Sequence, residues 1–269
     1  MGRVKKKLGT ILMFLVLLIG IGLMAYPTVS NWWNSFHQSR AINSYAARVE
    51  EMDPELIEQM LIEAHAYNAR LAAGDEARYD EASHTRYMSL LGPAGDGVMG
   101  YIEIDKIGVK LPVAHTVEES VLQRSVGHLE GSSLPVGGEG THAVLSGHRG
   151  LPSARLFTDL ANLTEGDTFV LTVLEQTLTY EVDQIRVVLP EEVDDLAVAP
   201  GEDYCTLVTC TPYGINTHRL LVRGSRVENA RIAPGVVADA VKIDPVVVAP
   251  FIGIPILLLF FVVLRWERG

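Results

Sequence analysis

At 269 residues the chain is long enough for one or two domains with a sizeable buried core. It carries 22 Lys+Arg against 33 Asp+Glu, a formal net charge of −11 at pH 7, and residues 27–244 alone hold 16 basic and 32 acidic side chains, a net of −16. A surface of that sign repels nucleic acid, which excludes that class of partner, and two cysteines make neither a disulfide framework nor a metal cage.

Arg3, Lys5, Lys6 and Lys7 form a basic head within residues 1–7. Leu8 to Tyr26 is then an uncharged apolar run of bilayer-spanning length. Met24-Ala25-Tyr26 is a poor cleavage site, so the run reads as a retained anchor at 8–26 and not as a signal peptide. A second apolar run, Val246 to Leu264, is interrupted only by Pro250, Gly253 and Pro255, which membrane helices tolerate. Arg265 and Arg268 follow it in the tail 265–269. The positive-inside rule puts both ends in the cytoplasm and the intervening chain on the extracellular face, so the expectation is a two-pass plasma-membrane protein with the lipid bilayer as a partner.

Residues 27–97 read as a helical segment ending in a loop. Trp32 and Trp33 suit an interfacial anchor, and Ala41 to Val49 looks helical. Asp53-Pro54 is an N-cap followed by proline at the first helical position, after which Ile57, Met60, Leu61, Ala64, Tyr67 or Asn68, and Leu71 follow a helical stripe that Gly74 ends. Residues 75–97 are charged and glycine-rich, and read as a mobile loop.

From Val98 to residue 229 the pattern changes to short strands between turn signals. Strands are expected at Gly100–Ile104, Val109–Ala114, Thr141–Ser146, Phe169–Leu174 and Leu178–Leu189, with a short helix or turn at 117–126, a glycine-rich loop at 127–140 and a one- or two-turn helix at 156–163. A last pair of strands starts at Tyr204 and at Leu220. Seven or eight short strands at near-regular spacing imply a mostly β fold closed into a barrel. Residues 230–245 read as a linker back to the membrane.

The last pair holds the chemistry. The strand from Tyr204 stops at Thr211-Pro212; Pro212, Gly214 and Asn216 supply a turn, and Leu220-Leu221-Val222 begins the return strand. Antiparallel pairing then sets Cys210 beside Arg219, and a fixed cation next to a thiol favours the nucleophilic thiolate. Cys205 lies five positions before Cys210, on the opposite strand face, and reads as core filler. Among eight histidines, His37, His65 and His84 precede the barrel, and His115 and His128 sit in or near loops without a supporting pattern. His142 and His148 share strand parity, and the residues alone leave both open as the partner of Cys210. His148 ends its strand between glycines, exposed to a cleft.

Leu145-Ser146-Gly147-His148-Arg149-Gly150, Thr206-Leu207-Val208-Thr209-Cys210 and Arg219 resemble the His, T-L-x-T-C and Arg signatures of sortases. Gly97 to Ile104, Gly127 to Ser133 and Thr209 to Arg219 resemble the class C, pilin-polymerising group, as does the C-terminal apolar span. The resemblance implies a sortase-type β-barrel and cysteine transpeptidation without a cofactor or metal. Cys210 is then the nucleophile that attacks the threonine carbonyl of an LPXTG-like signal on a pilin or surface protein. His148 is the general acid and base, Arg219 stabilises the substrate carbonyl or oxyanion, and a pilin lysine resolves the thioester. The alternatives are a sortase that anchors proteins to peptidoglycan precursor, and a non-catalytic surface scaffold.

Thr209 either contacts substrate or acts structurally through its side chain. Class C relatives commonly carry a lid with an Asp-Pro-aromatic motif, whereas the one Asp-Pro before this barrel, Asp53-Pro54, precedes Glu55 and starts a helix. The corresponding stretch offers Tyr79 and Asp80 as the lid candidates, Tyr79 over Cys210 and Asp80 against Arg219.

Overall fold

The computed structural model describes residues 2–74, 80–229 and Gly253. Tyr79, the linker at 230–245 and, apart from Gly253, the expected second span at 246–264 lie outside the described residues. The apolar run does not end as a helix at Tyr26 but continues as one helix, α1 (Gly2–Glu50). Within it, Phe14–Glu50 includes a stretch of mean hydropathy 1.7, long and apolar enough to cross a membrane. The end of the helix belongs to the folded unit of residues 35–232. Ile42, Tyr45 and Val49 recur at three- and four-residue spacing and are all buried. The Tyr45 hydroxyl donates to Met99 O at 2.9 Å and accepts from Leu174 N at 2.7 Å, joining the helix to one strand and one hairpin turn that follow.

The helix expected from Asp53 is α2 (Pro54–Ala72). The Asp53 carboxylate accepts from Glu55 N at 3.0 Å, and Ile57, Ala64, Tyr67 and Asn68 form its buried stripe. Asn68 bonds both backbone groups of one residue, donating to Leu134 O at 3.0 Å and accepting from Leu134 N at 2.7 Å.

The mobile loop expected over 75–97 is overturned in part, because Glu81–Ser89 is a helix, α3. Asp80 caps it, accepting from Ser83 N at 2.8 Å. One aromatic side chain anchors it: Tyr87 is fully buried and its hydroxyl lies 3.0 Å from His128 Nδ1. A nine-residue helix with one buried position has too little periodicity to stand out in sequence.

The barrel closes with eight strands: β1 (Val98–Ile104), β2 (Val109–His115), β3 (Val126–His128), β4 (Thr141–Ser146), β5 (Thr168–Val173), β6 (Gln176–Val188), β7 (Asp203–Thr211) and β8 (His218–Val227). Their order is β1-β2-β3-β4-β7-β8-β6-β5, with β5 returning to β1. Pairing is antiparallel except for β2 with β3 and β4 with β7. One short helix, α4 (Glu119–Leu122), makes the parallel crossover from β2 to β3. The interior is filled by side chains such as Ile102, Leu145, Phe169, Tyr180, Leu207 and Val222, all below 2% exposure, so no polar channel runs through the core.

His115 and His128, read in sequence as lying in or near loops, are the last residues of β2 and β3 and are buried. His115 reaches Gly97 O at 2.9 Å and Leu90 O at 2.7 Å, which ties the segment after α3 to the barrel. His128 Nε2 donates to Ser133 O at 2.8 Å, so its Nδ1 accepts from Tyr87 and the ring is neutral. Burial pulls its pKa down to about 4. In the unfolded chain the ring titrates near its ordinary value of about 6.5. Its contribution is therefore intact above that pH and is lost as pH falls from about 6.5 to about 4, amounting to roughly 3 kcal/mol. Denaturation of the full chain in detergent between pH 7 and pH 4 is expected to show this loss, and His128→Gln is expected to flatten it. An unchanged slope in that variant would remove His128 as the cause.

Candidate active site

The β7–β8 hairpin forms as its residues require. Ile215 N and Asn216 N both donate to Pro212 O, at 3.1 and 3.0 Å, and the left-handed conformations the turn needs fall on Gly214 and Asn216. The resulting register sets Cys210 directly across from Arg219. Both side chains are half-buried. One guanidinium nitrogen, Nη1, holds the turn through His218 O at 3.1 Å and Asn216 O at 3.3 Å.

His148 arrives from the other side of β7. The parallel β4–β7 register runs from Thr141 opposite Asp203 to Ser146 opposite Val208. It is carried one step further by Gly147 N donating to Val208 O at 3.0 Å and by the Thr209 hydroxyl donating to Gly147 O at 2.7 Å. Gly147 is thereby held against Val208 and Thr209, and His148 follows it towards the end of β7 that carries Cys210. Gly147 is needed at this point, because a Cβ there would lie 2.7 Å from the Phe157 ring. Phe157 N in turn donates to His148 O at 3.1 Å, which pins the loop from below. Thr209 is buried, and its hydroxyl is committed to this scaffold.

The two histidines left open by the sequence part company here. His142 is buried, with Nδ1 donating to Ala197 O at 2.9 Å and Nε2 accepting from the Thr206 hydroxyl at 2.7 Å. Burial lowers its pKa, and its neutral ring tethers the loop between β6 and β7. His148 keeps an accessible ring, with Nε2 3.1 Å from Glu119 Oε2. Cys205 is fully buried and its thiol is pushed well above its usual range by desolvation, so it is inert, whereas Cys210 is partly accessible. Both cysteines are free. Asp80 serves as the α3 cap, and Tyr79 is outside the described residues.

A groove of about 250 Å³ opens beside Arg219. Val144, Ser146, Val208 and Leu221 form its floor, Val117 and Leu129 one wall, and Val188, Leu189, Pro190, Glu192, Val193 and Leu196 the other. The second wall belongs to the loop that His142 holds, which is also braced by Arg186 on Asp195 at 2.6 Å. The lining is apolar apart from Ser146, Glu192 and Arg219, which suits an extended peptide with apolar side chains and a polar backbone. Two neighbours of the site were not legible in sequence. Arg149 donates to the hydroxyl of Thr211, the residue after Cys210 in the same strand, at 3.0 Å, and Glu119 touches His148 from 29 positions away. No spacing rule connects either residue to Cys210.

A cysteine paired with an arginine across one hairpin, and a histidine after the neighbouring strand, are the residue types that thiol acyl transfer uses, and they lie at the groove end of a closed barrel. Comparisons with known proteins agree. The sortase domain family model matches residues 102–227. Sortase C1 from Streptococcus agalactiae is 51% identical, with 71% of this chain and 100% of that chain covered at a TM-score of 0.69. Clostridium perfringens sortase C, solved with the C-terminal cell wall sorting motif, is 41% identical, with 71% and 100% covered at a TM-score of 0.64. Sortase A of Bacillus anthracis is 25% identical over 223 residues, 83% of this chain and 96% of that protein. The chain belongs to the sortase family, its structural neighbours include class C members, and it is a sortase-type cysteine transpeptidase.

Proposed function

We propose that this protein is a membrane-anchored transpeptidase that cleaves an LPXTG-like signal after its threonine and joins the new carboxyl end to a lysine of a pilin subunit. The observation that supports the reading is the register that sets Cys210 across from Arg219 on β8, with His148 two residues past the end of β4 on the other side of β7. The Cys210 thiolate attacks the threonine carbonyl carbon, and Arg219 faces the oxygen on which negative charge develops. Collapse of that intermediate breaks the Thr–Gly C–N bond. The departing amine takes a proton from His148, leaving a thioester on Cys210. A lysine Nζ then attacks the thioester carbon, gives a proton back to His148 and displaces the thiolate as the isopeptide bond forms. The groove beside Arg219 receives the residues that precede the threonine.

The apolar α1 is the anchor in this reading, with the second apolar run at 246–264 returning the chain to the cytoplasm and the barrel at 98–229 outside. Tyr79 and Asp80 stay as the positions at which a lid would reach the site. The test presents the full chain in micelles with a sorting peptide and either a pilin lysine peptide or a wall-stem mimic. Lysine-dependent isopeptide product is expected. Product with the stem mimic alone would make the protein a wall-anchoring enzyme, and free acid undiverted by excess amine would make it a hydrolase.

A further inference from the structure

Glu119 is the one carboxylate that the described contacts bring to the ring of His148, and nothing in the sequence motifs points to it. It opens α4, the four-residue crossover helix, and both of its oxygens are occupied. Oε1 accepts from Gln123 Nε2 at 3.2 Å, one helical turn on, and Oε2 lies 3.1 Å from His148 Nε2. The helix beneath it is held by Val121 N and Leu122 N, which donate to Glu118 O at 2.9 and 3.0 Å. The carboxylate is therefore oriented although it stands at the surface, with its side chain 66% exposed.

We propose that Glu119 is a positioning residue for His148, fixing which ring nitrogen faces the reacting atoms and favouring the charged ring. A carboxylate can only accept, so Nε2 must carry a hydrogen in both protonation states. The proton exchanged during the reaction then comes and goes at Nδ1, the nitrogen left for Cys210 and the substrate amine. The arrangement follows the general logic by which an orienting carboxylate selects a histidine tautomer and stabilises the imidazolium. The other charged or titratable groups on the neighbouring elements are Cys210 on β7, Arg219 on β8 and, on the loop of His148, Arg149, which donates to Thr211.

The inference rests on His148 being the acid–base group of the proposed reaction, so one arm of its test does not depend on turnover. In full-length protein labelled with 13C-histidine and held in micelles, the His148 ring signal is assigned by its absence in His148→Gln and followed against pH. Glu119→Gln is expected to move its midpoint to lower pH by about 0.2–0.7 pH unit, the range that matches an exposed ion pair. Raising the salt to about 1 M is expected to shrink the difference. In the second arm, the alkaline limb of kcat/KM moves the same way in Glu119→Gln and returns towards wild type in Glu119→Asp. Identical titrations at low salt in wild type and Glu119→Gln would overturn the proposal. So would a loss of rate with an unmoved limb and a lowered unfolding temperature, since that is the signature of a damaged α4. A shifted ring titration in an enzyme that turns over no sorting peptide would keep the inference and sink the reaction.

Discussion

Cys210→Ala is expected to abolish both the thioester and the isopeptide product, lowering the rate by more than about 10³-fold, because no other accessible nucleophile stands opposite Arg219 among the described residues. The control lies in the same strand. Cys205→Ala is expected to leave the chemistry near wild type and to cost about 1 kcal/mol of stability, since that thiol is sealed in the core and its burial disfavours the thiolate. Mass spectrometry after incubation with a sorting peptide separates the two outcomes, as only a protein with Cys210 should gain the acyl mass. An acyl adduct on Cys210→Ala protein, or its absence from Cys205→Ala protein, would reverse the assignment.

Arg219→Ala is expected to reduce kcat/KM by roughly 10²–10³-fold, the usual loss when a donor aimed at a developing oxyanion is removed. The conservative variant carries the sharper information. Nη1 of Arg219 is already bonded to His218 O and Asn216 O, so the substrate must be met by the remaining edge of the same planar group. A lysine ammonium can take over the turn carbonyls or face the substrate, but it cannot span both with fixed geometry. Arg219→Lys is therefore expected to retain the unfolding temperature within a few degrees while recovering little of the rate. Wild-type kcat/KM in Arg219→Lys would show that a point charge suffices and that the two-sided clamp is wrong.

The comparison of sequence with structure divides along the distance between interacting residues. The Cys210–Arg219 pair was legible because its two members lie nine positions apart, on either side of a turn that dictates the register. The inertness of Cys205 was legible for a similar reason, since strand parity alone sends it to the opposite face from Cys210. The α2 helix announced itself through Asp53-Pro54 and an apolar stripe from Ile57 to Leu71, about four helical turns. The short α3 did not, because its one anchor, Tyr87, docks against His128, 41 positions away.

The amino-acid sequence by itself determined which residue types could do the chemistry: one thiol in a position to be exposed, one arginine held across from it, two histidines of matching parity, and an apolar head able to enter a bilayer. Only the tertiary structure separates the surroundings of those histidines, burying His142 and leaving the His148 ring accessible. A parallel pairing of β4 with β7 couples residues 62 positions apart, and no local rule gives the partner or the register of two strands that far separated. That pairing leaves His142 bonded to Ala197 in the loop of the groove wall and His148 past the end of β4, where the crossover helix presents Glu119 to its ring.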